Sequence, residues 1–437
     1  MRVAVIGTGY LGAVHAAGMA QLGFQTVGVD VDQAKVDRLQ AGISPFYEPD
    51  FEPILAEQVA SGRLRFTTDF SQISDADVVF IGVGTPQKAD SHAADLTYID
   101  AAIASITPHL KDGALVAGKS TVPVGTAQRL AEYIAEHTAD GVTAELAWNP
   151  EFLREGFAVQ DTLHPDRLVF GVTSDRAESI LREVYARTIE QDGTPVVVTD
   201  LPTAELVKVA ANSFLATKIS FINAMAEICE FAGADVTKLA DAIGHDDRIG
   251  RKFLNAGVGF GGGCLPKDIR AFSARAGELG AGHALEFLAE IDKINSRRRD
   301  HVVELAKQEL GGDLRDRKVA VLGASFKPNS DDVRDSPALA VAGALHLAGA
   351  DVRVYDPKGM ENAAKVYPPL TYADSAEAAI ADAELVVHLT EWQEFKDLDP
   401  AALVETVGTP TIIDGRNALD PVAWRGAGWT YRGLGRP

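Results

Sequence analysis

A single cysteine in a glycine-rich loop is the residue best suited to covalent chemistry. Cys264 lies in the stretch GFGGGCLPKD at residues 259–268, where four glycines let the backbone turn tightly and leave the sulfur exposed. Lys267 could stabilise a thiolate and Asp268 could accept a proton, so the loop has the parts of an activated nucleophile. The alternative is a glycine turn that buries a small cysteine for packing.

The N-terminal residues carry the pattern of a dinucleotide-binding site. An apolar run leads into GTGYLG at residues 7–12, a helix-like segment follows, and a second apolar run ends in Asp30. In this pattern Gly7 permits the turn, Gly9 lets a pyrophosphate approach the backbone and Gly12 packs helix on strand. Asp30 would accept a hydrogen bond from the adenosine ribose and repel a 2′-phosphate, so the pattern favours NAD over NADP.

Further strand-like runs end in polar residues that could face a ligand. One run leads to Thr85 and Pro86, one to Thr121, and one to NPEFLREG, which contains Glu151 and Glu155. Ligands of an open α/β sheet bind at the carboxyl ends of its strands, so these residues fall where chemistry is expected. Taken singly, Thr121 could cap a helix, Glu151 could serve a first helical turn, and Glu155 could be a surface charge.

A long stretch without glycine or proline covers residues 203–232 and predicts a helix about 45 Å long. Lys208 and Asn212 are four residues apart and share one face of this helix, so they could direct two donors at the same spot. The alternative is a lysine whose stem lies along the core and an asparagine that acts as a local cap. Cys229, among apolar neighbours, is interpreted as a packing residue.

The C-terminal part repeats the opening pattern without its glycines. Residues 318–322 and 352–355 are strand-like runs, and the second ends in Asp356. Ser325 stands where Gly9 would be, and its side chain would block a pyrophosphate, so this part should not bind a dinucleotide in the same way. Four basic residues could bind an anion through their side chains, namely Arg248, Lys327, Arg334 and Arg416. For Arg248 and the basic residues near it, the ordinary explanation is a charged run in contact with solvent.

Composition excludes several classes of partner. The 437 residues include 62 Asp and Glu against 41 Lys and Arg, and the net charge of -21 argues against nucleic acid or an anionic membrane. Two cysteines form neither a disulfide framework nor a metal set, which favours a reducing compartment. No apolar run reaches the ~18 residues of a membrane span. We therefore expect a cytoplasmic protein without a metal.

The alternation of strand and helix patterns predicts an α/β fold. We expect two Rossmann-like domains with mainly parallel sheets, joined by a long central helix and a small helical domain. The expected boundaries are 1–199 for the N-terminal NAD-binding domain, 200–310 for the central helical domain with the cysteine loop, and 311–437 for the second Rossmann-like domain. A long helix with apolar residues on more than one face must bury both faces, which favours a homodimer.

Several motifs together resemble the UDP-glucose/GDP-mannose dehydrogenase family, in the same order and over nearly the whole chain. They are GTGYLG, STVPVGT, NPEFLREG, AELVKVAANSFLATKISFIN, GFGGGCLPKD, FKPNSDDVRDSP, LTEWQEF and DGRN. The form VGFGGGC, with Arg248 upstream, resembles the members that act on UDP-glucose. The resemblance implies a four-electron oxidation of UDP-glucose to UDP-glucuronate, a polysaccharide precursor, with release of two NADH. One cysteine would carry the intermediate, first as a thiohemiacetal and then as a thioester.

The resemblance also implies a role for each candidate residue. Cys264 would be the nucleophile, and Lys208 and Asn212 would donate to the oxyanion. Thr121 and Asp268 would hold water and accept the first proton. Glu151 would be the base for hydrolysis. NAD would be bound by Gly7, Gly9, Tyr10, Leu11, Gly12, Asp30, Lys35, Thr85, Pro86, Thr121, Glu155 and Arg334. UDP-glucose would be bound by Phe152, Leu153, Arg154, Lys208, Asn212, Arg248, Phe253, Gly261, Lys327 and Arg416, with Arg248 able to reach across from a second subunit.

Two positions depart from the family pattern. Many members have serine at the position of Gly263 and a phenylalanine that stacks on the base at the position of Leu265. Leucine cannot stack in the same manner, which weakens the expected contact to uracil. Two alternatives stay open. One is the same chemistry on GDP-mannose or a UDP-N-acetylhexosamine, and the other is a non-catalytic NAD-binding regulator that kept the fold.

Overall fold

The structure, a computed structural model, describes residues Met1–Pro437 and has the expected mixed α/β architecture. Its residues form two compact units. The first unit comprises Met1–Ala211 and Ala274–Gly280, and the second comprises Asn212–Ser273 and Ala281–Pro437. The three domain boundaries expected from the sequence stay a prediction.

The first unit is built on an eight-stranded sheet. Its strands are β1 (Arg2–Ile6), β2 (Gln25–Val29), β3 (Leu64–Thr67), β4 (Val78–Ile81), β5 (Leu115–Gly118), β6 (Glu145–Trp148), β7 (Leu168–Gly171) and β8 (Val196–Thr199). They run in the order β3-β2-β1-β4-β5-β6-β7-β8, and every pair is parallel except β6 with β7. The first six strands thus follow the doubly wound order in which dinucleotides bind.

Helices cover both faces of this sheet. They are α1 (Tyr10–Gln21), α2 (Gln33–Gln40), α3 (Phe51–Ala60), α4 (Thr97–Ile106), α5 (Thr126–His137), α6 (Ala158–Leu163), α7 (Asp175–Val184) and α8 (Ala186–Asp192), with 3-10 turns at Phe70–Ile73 and Thr107–His109. Val3 and Val5 pack on one side of β1 with α1, whereas Ala4 and Ile6 pack on the other side with α4. Continuous apolar strands are what a sheet buried on both faces requires.

A 32-residue helix, α9 (Leu201–Ala232), begins two residues before the predicted start. Pro202 lies in its first turn, where a missing amide hydrogen costs nothing. The boundary between the two units falls within this helix, after Ala211. The following helices are α10 (Val236–Gly244), α11 (Leu265–Glu278) and α12 (Glu286–Glu309), with a 3-10 turn at Gly282–Leu285.

The second unit contains a six-stranded parallel sheet. Its strands are β9 (Lys318–Leu322), β10 (Asp351–Tyr355), β11 (Thr371–Tyr372), β12 (Leu385–His388), β13 (Thr411–Asp414) and β14 (Thr430–Gly433). The order β11-β10-β9-β12-β13-β14 repeats the topology of the first six strands of the first sheet. Its helices are α13 (Pro337–Leu347), α14 (Met360–Val366), α15 (Ala376–Ile380), α16 (Gln393–Lys396), α17 (Pro400–Leu403) and α18 (Pro421–Gly426). The second Rossmann-like fold inferred from the sequence is therefore confirmed.

None of the helices combines the length and the apolar character that a membrane span requires.

Candidate active site

The turn from β1 into α1 has the shape that a pyrophosphate needs. Gly7 has a φ of 83°, and a Cβ atom at Gly12 would lie 1.8 Å from the Gly7 carbonyl oxygen. The space where a side chain of Gly9 would project is open, with no atom within 4 Å. Backbone amides at the start of a helix favour an anion, so this turn fits the diphosphate of a dinucleotide.

Asp30 follows β2 and is held by donors of the same turn. Its carboxylate accepts hydrogen bonds from the Thr8 amide at 2.7 Å, the Asp32 amide at 3.1 Å and Lys35 Nζ at 3.0 Å. Burial opposes its charge, but the hydrogen bonds from Asp32, Lys35 and Thr8 outweigh it and hold the pKa of Asp30 below its usual value. Asp30 is thus anionic at neutral pH, as a ribose-binding acid must be.

The remaining NAD candidates of the first unit lie in the loops after its strands. Thr85 donates to the Thr121 carbonyl oxygen at 2.6 Å, which joins the loops after β4 and β5. The Tyr10 hydroxyl donates to Glu48, and Glu48 also accepts the Gly156 amide at 2.6 Å. Leu11 lies in α1, Pro86 follows Thr85, and Glu155 precedes Gly156 in the loop that Glu48 holds.

Glu205 is a positioning residue that the sequence analysis missed. It lies on α9, almost fully buried, and accepts the Gly125 amide at 2.8 Å and the Ala127 amide at 2.6 Å. It therefore caps α5 and fixes the loop that carries Thr121. Burial raises the pKa of Glu205 to about 6, although the hydrogen bonds from the α5 amides favour the charged carboxylate and oppose this rise.

Glu151 and Lys208 form an ion pair within the first unit. Lys208 Nζ lies 3.1 Å from Glu151 Oε1, and the Leu153 amide donates to the other carboxylate oxygen at 2.6 Å. Lys208 also lies 5.6 Å above the ring of Phe152, whose face is covered by the Arg167 guanidinium at 3.7 Å. A carboxylate and an ammonium group are thus held side by side, as general-base and oxyanion chemistry need.

Cys264 is exposed and immediately precedes α11 in the second unit. The Asp268 amide donates to the Cys264 carbonyl oxygen at 2.9 Å, so the two residues belong to one helical turn. The Asp268 side chain is 1% exposed and accepts hydrogen bonds at 2.6 Å from Asn212 Nδ2 and from Lys267 Nζ. The nucleophile, acid and amide candidates are therefore assembled around one turn, and Cys229 is buried.

The cysteine loop is in close contact with the segment before α13. A Cβ atom at Gly261 would lie 2.2 Å from the Asp335 carbonyl oxygen and 2.7 Å from Pro337 Cδ. The three atoms nearest to a Cβ atom at Gly263 instead all belong to the Arg334 guanidinium, with Cζ at 2.5 Å. Backbone therefore blocks a side chain at Gly261, whereas at Gly263 the nearest obstacle is the end of a long, flexible side chain.

The basic candidate residues differ in the partners that their side chains already have within the protein. Arg416 donates to three carbonyl oxygens, those of Leu389 at 2.7 Å, Gly259 at 2.8 Å and Phe326 at 3.1 Å. It thereby braces the start of the cysteine loop. Ion pairs with acids near in sequence hold Arg154 to Asp161, Arg248 to Asp246 and Arg334 to Asp332, and Lys327 lies over the ring of Phe326. Phe253 has a φ of 66° in the loop after Arg248.

The acid of the second Rossmann-like sheet is fully engaged inside the protein. Asp356 accepts the amides of Ala324, Ser325, Lys358 and Gly359, the Ser325 hydroxyl and the Trp392 indole N–H. No exposed surface of Asp356 remains for a ribose. The topology of the first sheet is thus repeated here without an acid that is accessible to a ligand.

Comparison with known proteins agrees with this geometry. Residues 1–189 match the NAD binding domain of the UDP-glucose/GDP-mannose dehydrogenase family, residues 202–297 its central domain and residues 320–421 its UDP binding domain. Over its whole length the chain is 43% identical to a UDP-glucose 6-dehydrogenase of Rhizobium meliloti, of which it covers 100%. It is 41% identical to one of Bacillus subtilis, of which it covers 98%.

Solved structures show the same relationship. A UDP-glucose dehydrogenase from Pyrobaculum islandicum superposes with a TM-score of 0.90 at 39% identity, and the match covers 100% of this chain and 98% of that one. A UDP-D-ManNAc dehydrogenase from Pyrococcus horikoshii superposes with a TM-score of 0.86 at 27% identity, covering 100% and 99% of the two chains. With all three family domains matched in order, this chain belongs to the UDP-glucose/GDP-mannose dehydrogenase family.

Proposed function

We propose that this protein oxidises UDP-glucose to UDP-glucuronate with two molecules of NAD. The observation that carries the proposal is an exposed Cys264 beside the Asp268, Asn212 and Lys267 cluster. A chain 41–43% identical to UDP-glucose 6-dehydrogenases supports this substrate over the N-acetylated sugar of the structural relative at 27% identity.

NAD would be held by the turn from Gly7 to Gly12, with its ribose on Asp30 and its pyrophosphate at the start of α1. The cofactor supplies the chemistry that side chains lack, because it accepts a hydride from the sugar C6 in each of two oxidations. The residues at the carboxyl ends of β4 and β5, Thr85 and Thr121, complete its binding site in this proposal.

In the first oxidation the C6 alcohol becomes an aldehyde and its hydroxyl proton must be accepted. Asp268, with water held by Thr121, takes that proton, and Lys208 and Asn212 donate to the developing oxyanion. The Cys264 thiolate then adds to the aldehyde carbon and forms a thiohemiacetal. The second oxidation converts this adduct into a thioester on the same sulfur.

Hydrolysis completes the four-electron reaction. Glu151 removes a proton from water, the resulting hydroxide attacks the thioester carbon, and the C–S bond breaks to release the carboxylic acid and the Cys264 thiolate. The sum is one alcohol, two NAD and one water converted to one carboxylate, two NADH and three protons. The Glu151–Lys208 ion pair supports this assignment, because it holds the carboxylate of the base beside the ammonium group that would donate to the oxyanion.

The test is the stoichiometry of NADH per sugar nucleotide, measured with UDP-glucose, GDP-mannose and UDP-N-acetylhexosamines. We expect two NADH per UDP-glucose, at least tenfold higher kcat/KM for this substrate, and no net UDP-glucuronate from Cys264→Ala. A ratio of one NADH, or undiminished acid formation by Cys264→Ala, would refute the thioester route. NAD binding without NADH from any of the sugars would favour a regulator.

We also propose a homodimer formed through α9. Four apolar side chains recur at or near heptad spacing on this helix and are exposed in the single chain, namely Phe214, Phe221, Ile228 and Phe231. Exposed apolar rows of this kind are typical of helix pairing, and sedimentation analysis would measure the mass of the assembly.

The cytoplasmic location expected from the sequence stays a prediction.

A further inference from the structure

Lys119, the residue that follows β5, is buried in the first unit without a carboxylate among its hydrogen-bond partners. Its side chain is 6% exposed. Nζ donates to Asn149 Oδ1 at 2.9 Å, to the Asn149 carbonyl oxygen at 3.4 Å and to the Tyr185 hydroxyl at 3.2 Å. Nζ also lies 5.4 Å from the centre of the Phe80 ring.

Such a burial is costly for an ammonium group. A buried charge needs an ion pair or a full set of hydrogen bonds, and here the partners are all neutral. Burial accordingly lowers the pKa of Lys119 to about 8, against the attraction of Glu151. A methionine of similar length would fill the space without this cost, which indicates that the charge serves the site rather than the fold.

The partner of Lys119 is the first residue of the turn that presents Glu151. The Asn149 amide donates to the Gly118 carbonyl oxygen at 2.8 Å, and Asn149 Nδ2 donates to the Val169 carbonyl oxygen at 3.0 Å. The Tyr185 hydroxyl donates to Asn149 Oδ1 at 2.7 Å. With Lys119 added, every polar group of Asn149 is engaged, so the start of the turn is rigid.

Lys119 and Glu151 also line one small cavity. Its volume is about 40 Å³, which is enough for a few water molecules, since one water needs ~10–15 Å³. His15 lines it too, and His15 Nε2 is buried with no hydrogen-bond partner in the protein. The charged and titratable groups that surround Glu151 from the packed elements are Lys119, Lys208, Arg167, Asp161, Asp166, His15 and Tyr185.

We propose that Lys119 is a positioning residue for thioester hydrolysis, which holds the Asn149 turn that presents Glu151 and places a positive charge on the cavity that Glu151 also lines. This inference rests on the proposed function, in which Glu151 is the base. The bonds formed and broken are those of hydrolysis as already described. Lys119 contributes no atom to product, and the proton taken by Glu151 leaves through water.

The experiment compares three variants of the full-length enzyme. Lys119→Met removes the charge and the hydrogen bonds, Lys119→Gln removes the charge but can still donate to Asn149, and Tyr185→Phe removes one hydrogen bond but leaves the charge. The readouts are the pH dependence of kcat, the KM for UDP-glucose and NAD, and the mass of the Cys264 adduct during turnover.

We expect both Lys119 variants to move the acid limb of kcat upward by about one pH unit, a loss of about tenfold on that limb, with KM changed by less than about twofold. The Cys264 thioester should accumulate in both. Tyr185→Phe should lower thermal stability and leave the acid limb in place. The Gln variant keeps the test valid if the Met variant does not fold.

An unchanged acid limb in Lys119→Gln overturns the proposal, and so does an equal shift in Tyr185→Phe, which would indicate a purely structural role. The Glu151→Gln variant distinguishes a failure of the proposed role of Lys119 from a failure of the proposed function. If Glu151→Gln accumulates the thioester while Lys119→Gln does not, the proposed function stands and the role of Lys119 is wrong. If Glu151→Gln hydrolyses the thioester at the wild-type rate, the assigned base is wrong and both fall.

Discussion

Replacing Gly261 by alanine tests whether the cysteine loop is fixed by backbone contact. The new Cβ atom would lie 2.2 Å from the Asp335 carbonyl oxygen and 2.7 Å from Pro337 Cδ. A carbon and an oxygen in van der Waals contact are about 3.3 Å apart, so the loop or the segment before α13 must shift by about 1 Å. Because neither neighbour is a mobile side chain, we expect a loss of about 1–3 kcal/mol in stability.

Thermal unfolding and steady-state kinetics measure the two consequences. A loss of this size lowers the melting temperature by about 2–4 °C per kcal/mol for a unit of roughly 200 residues. The displaced loop carries Cys264, so kcat should fall by at least tenfold in parallel. Gly263→Ala is the matched control, since the three atoms nearest to its Cβ all belong to the Arg334 guanidinium, which is the far end of a flexible side chain. Equal stability of Gly261→Ala and wild type, or equal damage by both substitutions, would refute the reasoning.

Two further predictions concern buried acids of the first unit. Burial raises the pKa of Glu205 to about 6. Between about pH 4.5 and 6 the folded state therefore binds a proton that the unfolded state does not. As pH rises through that window, the stabilisation from this protonated carboxyl is lost. The unfolding free energy of wild type relative to Glu205→Gln should therefore fall by about 2 kcal/mol from pH 4.5 to 7, and a constant difference in urea titrations would contradict it. Asp30→Ser should lower kcat/KM for NAD and raise it for NADP, each about tenfold, because Lys35, now 3.0 Å from the carboxylate, becomes available to a 2′-phosphate. Adding Lys35→Met should abolish the gain with NADP; if it does not, Lys35 is not the cause.

Local patterns were sufficient to predict the elements that carry most of the site. The apolar run before Gly7, the acid at the end of β2 and the length of α9 are all read from residues near in sequence. The second Rossmann-like unit could be predicted from the repeat of the pattern that ends in Asp356. Ser325 predicted that this unit would not bind a dinucleotide in the same way, but the enclosure of Asp356 depends on contacts with distant residues such as Trp392.

Other features depend on contacts between distant residues or on weak local signals. Strand β7 has four residues and pairs antiparallel with β6 and parallel with β8, so β7 and β8 run opposite to the first six strands, which no local periodicity indicates. Glu205 caps a helix that begins about 80 residues earlier, and Lys119 meets an asparagine 30 residues away. Helix α11 was missed despite a usable signal, since Pro266 and Asp268 in its first turn are typical of a helix start.

The hydrogen bonds that Asp356 accepts inside the protein limit how the second unit could be redesigned. Restoring glycine at Ser325 would remove one steric block, yet the carboxylate would still be bound by the Trp392 indole and by the amides that open α14. Freeing it would strand those donors in the interior, where each lost partner costs about 1–3 kcal/mol. The second sheet thus serves as a rigid frame that holds side chains such as Arg416, and turning it into a dinucleotide site would require rebuilding that frame.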